Sequence, residues 1–160
     1  MSAEKKIYFI SDLHLGVPTL EDSHERELKL IRFLDSIKDD TETLFLMGDL
    51  FDFWFEYKTV VPRGYVRLLG KLAQFVDEGI PVHLFAGNHD LWTFDYLQKE
   101  IGIQVHRGPM TMTLKDKTFF LVHHHRVKHI GIRDMKSAHI PLSLCIFDIN
   151  CNLCSFSGFY

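Results

Sequence analysis

Three apolar runs in this chain each end on polar residues of one kind. Lys6-Ile7-Tyr8-Phe9-Ile10 leads into Asp12 and His14, residues 43–47 lead into Gly48 and Asp49, and residues 81–86 lead into Gly87-Asn88-His89-Asp90. The runs are short and mostly aliphatic or aromatic, which predicts buried strands. Amphipathic segments separate them. Leu30, Phe33, Leu34 and Ile37 fall at i, i+3, i+4 and i+7, the stripe of a helix facing a sheet, and Glu21-Asp22-Ser23 suits its N-terminus. Leu68, Leu72, Phe75 and Val76 repeat the stripe in a second helix, opened by Pro62-Arg63-Gly64 and stopped by Gly79. Residues 91–100 read as helical up to Gly102. Two further strands are expected around 110–114 and 118–122, joined by Lys115-Asp116-Lys117 and running into His123-His124-His125.

Alternating strands and helices followed by successive strands predict an α/β layered domain, in which ligands collect outside the carboxyl ends of the strands. Every polar cluster named above lies at such an end. A carboxylate there needs a partner, because an unpaired buried charge costs several kcal/mol. One metal site at one edge of a sheet satisfies all three clusters.

Composition narrows the classes. A chain of 160 residues, 46% hydrophobic, suits one domain with a real core. Its net charge of −3 and the lack of a Lys/Arg stripe argue against nucleic acid as a partner. The first apolar run is too short for a signal peptide or a membrane span, so a cytoplasmic location is expected. Cys145, Cys151 and Cys154 fall late and make no disulfide framework, and Cys151-x-x-Cys154 lacks a second pair.

The donor set defines the chemistry. Asp12 and His14 are two apart, so in extended backbone both would point to one side and serve one ion. Asp49 has two oxygens and can bridge two ions, Asn88 offers a carbonyl, and one imidazole among His123, His124 and His125 adds a nitrogen. Oxygen and nitrogen donors without sulfur suit Mn²⁺, Fe, Zn²⁺ or Mg²⁺. Two such ions clamp the attacking and leaving oxygens of an in-line displacement, the machinery for hydrolysing a phosphate ester or anhydride. His89 would stabilise phosphoryl charge or protonate the leaving oxygen, with Asp52 orienting it. The aromatics at 51–57, with Trp92, Phe94 and Tyr96, are expected in the core rather than on substrate. Histidines 24, 83, 106, 129 and 139 carry no pattern and are given no role.

Asp12-Leu13-His14, Gly48-Asp49-Leu50-Phe51-Asp52 and Gly87-Asn88-His89-Asp90 resemble the motifs of the calcineurin-like metallophosphoesterases, over residues 7 to about 123. The longer wording, Ser11-Asp12-Leu13-His14-Leu15-Gly16 with Gly48-Asp49-Leu50-Phe51-Asp52-Phe53-Trp54, is most similar to the UDP-2,3-diacylglucosamine hydrolases of lipid A synthesis. That resemblance implies a β-sandwich flanked by helices and two divalent ions, usually Mn²⁺. The implied ligands are Asp12, His14, Asp49, Asn88 and His123, with His124 competing, and the implied catalytic pair is His89 and Asp52. It implies cleavage of a lipid-linked UDP sugar at its pyrophosphate, at the cytoplasmic face of the inner membrane. The alternatives are a general phosphoesterase on nucleotides or small diesters, and a catalytically dead metal-binding remnant.

The sequence departs from that pattern in places. His89 stands where many of these hydrolases have arginine, which moves the resemblance toward the broader family. His123-His124-His125-Arg126 stands where His-Gly-Asp is typical, and no later His-x-His or lid follows. From Ser137 to Tyr160 the only acidic or basic residue, histidine apart, is Asp148. Residues 1–125 are therefore expected to be the N-terminal part of a metallophosphoesterase domain and 126–160 a divergent tail. Such a chain would arise from a frameshift near codon 124, with the last strands and the lid missing and activity impaired.

Overall fold

The computed structural model describes residues 5–17, 22–123 and 144–148. β1 (Lys6–Ile10), β2 (Thr41–Leu46), β3 (Val82–Phe85) and β4 (Gln104–His106) form a parallel sheet in that order. α1 (Ser23–Ile37) and α2 (Val66–Asp77) make the first two crossovers, and a π-helical turn at Leu97–Ile101 lies in the third. β5 (Met110–Leu114), β6 (Lys117–His123) and β7 (Leu144–Asp148) form an antiparallel sheet with β6 in the middle.

Strand alternation divides the apolar runs between two layers. Ile10, Leu44, Leu46, Val82 and Leu84 join a core with Leu30, Leu34, Leu68, Leu72 and Phe75 of the helices. Phe45, Met47 and Phe85 pack instead with Leu121, and Ile7, Phe9, Met110, Met112 and Phe119 pack against them. The parallel sheet is thus covered by helices on one face and by the second sheet on the other, an α/β arrangement of two layered sheets consistent with the fold that the resemblance implies. Among the described residues no helix is long and apolar enough to cross a membrane.

Several expected elements differ in extent. α2 begins at Val66, because Tyr65 sits in the left-handed region (φ 58) and the backbone turns there. The helix expected over 91–100 shrinks to the turn at Leu97–Ile101. Its first half is diverted: Glu56 Oε2 accepts the N–H groups of Phe94, Asp95 and Tyr96 at 2.7, 2.8 and 3.2 Å, and Trp92 bridges to Phe55. β4 was not expected. The readings for 126–160 lie outside the described residues, apart from the 144–148 backbone that pairs with β6.

β4 also gives His83 a partner. The His83 ring faces the sheet–sheet side, stacked on Phe45 (4.7 Å, 15°) and on His106 (5.2 Å, 18°), with its Nδ1 2.9 Å from His106 Nε2. Burial first, and the His106 charge second, push His83 down from 6.5 to about 4. The unfolded chain therefore binds more protons between those values, and stability falls as pH drops through that window. The loss from this group should be on the order of 3 kcal/mol by pH 4. Urea unfolding at pH 7 and pH 4.5 should show it, and His83→Phe should remove that part of the acid sensitivity.

Candidate metal centre

The pairing of β1 with β2 continues beyond both strands and brings two motifs together. Met47 N–H donates to Ile10 O, Asp12 N–H to Gly48 O, His14 N–H to Asp49 O, Leu15 N–H to Leu50 O, and Asp52 N–H to Leu15 O, all at 2.7–3.2 Å. Along this ladder Asp12, His14 and Asp49 all adopt positive φ (56°, 42° and 51°). The sequence reading of Asp12 and His14 as neighbours on one face of an extended strand is therefore corrected. Their convergence, with His14 Nε2 4.0 Å from Asp12 Oδ1, comes from a left-handed turn. A non-glycine residue in that region costs about 1–3 kcal/mol and persists where surroundings over-determine it, which is common at functional sites.

Asp49 is the centre of the cluster. Its Oδ1 accepts the His89 N–H at 3.0 Å, and its Oδ2 lies 3.4 Å from His123 Nε2 and 3.8 Å from His14 Nε2. Asp49 and His123 are both buried. Burial would raise the Asp49 carboxyl, but His123 and the His89 N–H outweigh it and hold it below its usual value. For His123 burial would lower the imidazole, and Asp49 with the Met47 carbonyl reverses this and raises it. Each partner thus favours the charged form of the other.

The two motif glycines make room for this. A methyl on Gly48, which itself has φ +96°, would strike the His123 ring. A methyl on Gly87 would fall within the Asp49 carboxylate. Both positions demand close backbone approach.

The histidines present defined atoms. His123 Nδ1 is 2.7 Å from Met47 O, so it carries the proton in the neutral ring, and Nε2, facing Asp49 Oδ2, is the atom open to a metal. His89 Nδ1 is 2.7 Å from the Asp52 carbonyl and 3.2 Å from Asp52 Oδ1, which again leaves Nε2 free. His14 and His89 meet edge to face at 4.7 Å. One donor atom each from His14, Asp49 and His89 lies within 4.8 Å of the others, a group that could hold a metal ion. Donors on a shared ion at about 2.1 Å lie roughly 3–3.5 Å apart, so small movements would close this set. Of the remaining expected ligands, Asp12 bonds Ser11 Oγ through Oδ2, and Asn88 lies exposed beside His89. His124 lies outside the described residues.

Two buried carboxylates that carry no role in the sequence reading tie the loops together. Asp90 accepts Leu50 N–H at 2.8 Å and Gly87 N–H at 2.7 Å, joining the β2 and β3 loops, and burial raises its carboxyl despite those bonds. Glu56 accepts Trp54 Nε1–H at 3.0 Å as well as the three N–H groups named above. The aromatics around them split. Phe51 and Trp54 are fully buried as expected, whereas Phe53, Phe55, Tyr57, Trp92 and Phe94 are exposed. Phe53 and Phe55 lie 5.9 and 6.2 Å from Trp92, an apolar shelf on the loops that carry Asp49 and His89.

Comparison with known proteins identifies the family. The profile of the family described as Calcineurin-like phosphoesterase matches residues 5–145. UDP-2,3-diacylglucosamine hydrolase of Porphyromonas gingivalis is 49% identical over 118 residues, which are 74% of this chain and 45% of that protein. The enzymes of the same name from Haemophilus influenzae and Nitrosococcus oceani are 32% and 29% identical, over 74% and 72% of this chain and 48% and 44% of theirs. The chain spans about half the length of the relatives it matches.

The geometry sets two expectations. Gly87→Ala should displace the Asp49 carboxylate and weaken Mn²⁺ binding at least about tenfold. Gly70→Ala, at an exposed helix position with open space around its methyl, should instead stabilise the fold by about 1 kcal/mol and leave binding unchanged. Mn²⁺ titration followed by electron paramagnetic resonance separates them. Metal must also displace the His123 proton, so apparent affinity should rise with pH until pH passes the raised His123 value, above 6.5. Calorimetry in buffers of different ionisation enthalpy would register the released proton.

Proposed function

This chain belongs to the calcineurin-like phosphoesterase family, and from that premise we propose that it is a metal-dependent hydrolase of the pyrophosphate bond of UDP-2,3-diacylglucosamine. The observation that carries the reading is the convergence of His14, Asp49, His89 and His123 at adjacent strand ends. The relatives named for that substrate support it, as does the apolar shelf, which suits an acylated sugar. Asp12, His14, Asp49, Asn88 and His123 would hold two divalent ions, Mn²⁺ ahead of Mg²⁺, Fe or Zn²⁺. When bound, such ions supply charge that stabilises the attacking and leaving oxygens of an in-line displacement.

The chain's own residues do the rest. Asp49 presents Oδ2 to both His14 and His123 while the His89 N–H fixes its other oxygen, so its orientation is set before any ion arrives. Asp52 holds the His89 ring through Nδ1. His89 Nε2 then faces the phosphoryl group, to stabilise its charge or give a proton to the leaving oxygen. A lipid substrate sets the working location at the cytoplasmic face of the inner membrane, with peripheral contact.

The His89–Asp52 pair favours a second reading, a general phosphoesterase acting on soluble nucleotides or small diesters. The test is Mn²⁺-dependent release of UMP from UDP-2,3-diacylglucosamine beside cleavage of bis-p-nitrophenyl phosphate. The proposal expects cleavage that depends on the acyl chains and falls about 10²-fold or more in His89→Ala. Equal cleavage of the soluble diester would favour the second reading. Mn²⁺ binding with no turnover of either substrate would reduce the chain to a metal-binding remnant.

A further inference from the structure

We propose that Arg26, on α1 and outside every motif, is a positioning residue that holds the 13–17 loop in the left-handed turn from which His14 reaches Asp49. This role rests on the metal-centre reading above and adds a residue on which its metal affinity depends. Arg26 Nη1 donates to Leu13 O at 3.1 Å, and Nη2 donates to His14 O at 3.2 Å and Val17 O at 2.9 Å. One guanidinium therefore gathers three carbonyls of a five-residue loop, including that of a candidate ligand. The His14 carbonyl also accepts the Val17 N–H at 3.2 Å, so the turn closes around the group that Arg26 grips.

A loop in this conformation needs such a grip. Asp12 and His14 both have positive φ, and relaxing either would swing the His14 ring away from Asp49 Oδ2, now 3.8 Å from it. The planar fork of arginine delivers several charge-assisted bonds in fixed directions, which an ammonium on a flexible stem does not. Tyr65 O–H on Leu15 O at 3.0 Å and Ser23 Oγ on Gly16 N–H at 2.7 Å hold the same loop, but neither touches His14. Among the described residues, Arg26 is the side chain that hydrogen-bonds the His14 backbone.

The experiment uses the full chain with Arg26→Ala and Arg26→Lys, and reads two quantities. Amide hydrogen exchange at His14 and Leu15, whose N–H groups bond Asp49 O and Leu50 O, reports the loop without metal. Mn²⁺ titration by electron paramagnetic resonance reports the centre. Arg26→Ala should speed exchange in the loop at least about tenfold while β2 and α2 exchange as before, and should weaken Mn²⁺ binding about 10- to 100-fold. Arg26→Lys should fall between the two and serves if the alanine variant does not fold. Unchanged loop exchange, or Mn²⁺ binding as tight as in the parent, would overturn the role of Arg26. A parent chain that binds no Mn²⁺ while Arg26→Ala still loosens the loop would refute the metal centre and leave the loop role standing.

Discussion

The Asp49 carboxylate sits where burial would neutralise it, and the surrounding structure keeps it ionised. Four strand ends contribute to that outcome. β2 delivers the residue itself, the β3 loop supplies the His89 N–H, β6 brings His123, and the turn after β1 brings His14. The arrangement is reciprocal: the carboxylate favours the protonated form of a buried imidazole, and the imidazole favours the ionised form of the carboxylate. A cation of higher charge could replace that proton among the same donors.

Maintaining this point governs much of the fold nearby. Three residues of the cluster take left-handed backbone, and an extended ladder of backbone bonds beyond β1 and β2 compensates them. Asp90 and Glu56, each a buried acceptor of several N–H groups, fix the β2 and β3 loops to one another. Glycine stands at 48 and 87 because the His123 ring and the Asp49 carboxylate occupy the space a methyl would need. The sandwich then acts as a frame: its two layers place β6, and hence His123, against the end of β2.

Periodicity makes the frame legible in the sequence. The helical stripes, the buried strands and the polar residues at their ends all follow from spacing, and the family motifs mark the same residues. Other features follow from contacts distant in sequence. β4 is three residues long and alternates polar with apolar, so it gave no signal, and the partner of His83 was hidden with it. The convergence of Asp12 and His14 was expected from strand alternation, a rule that holds only for extended backbone. In the segment 54–57 the burial inverts composition: Trp54 and Glu56 point in while Phe55 and Tyr57 point out. Glu56 tolerates that place because four donors meet its carboxylate, and three of them come from residues 94–96.

The most direct test of the account is the ionisation of His123, followed by nuclear magnetic resonance in the metal-free chain and in Asp49→Asn. An ionised Asp49 should hold the His123 imidazole above 6.5 in the parent chain. In the variant the Asp49 charge is gone while the Met47 carbonyl still favours the protonated ring, and the value should fall relative to the parent. A His123 that titrates identically in both proteins would mean that Asp49 does not carry the charge on which the centre is built.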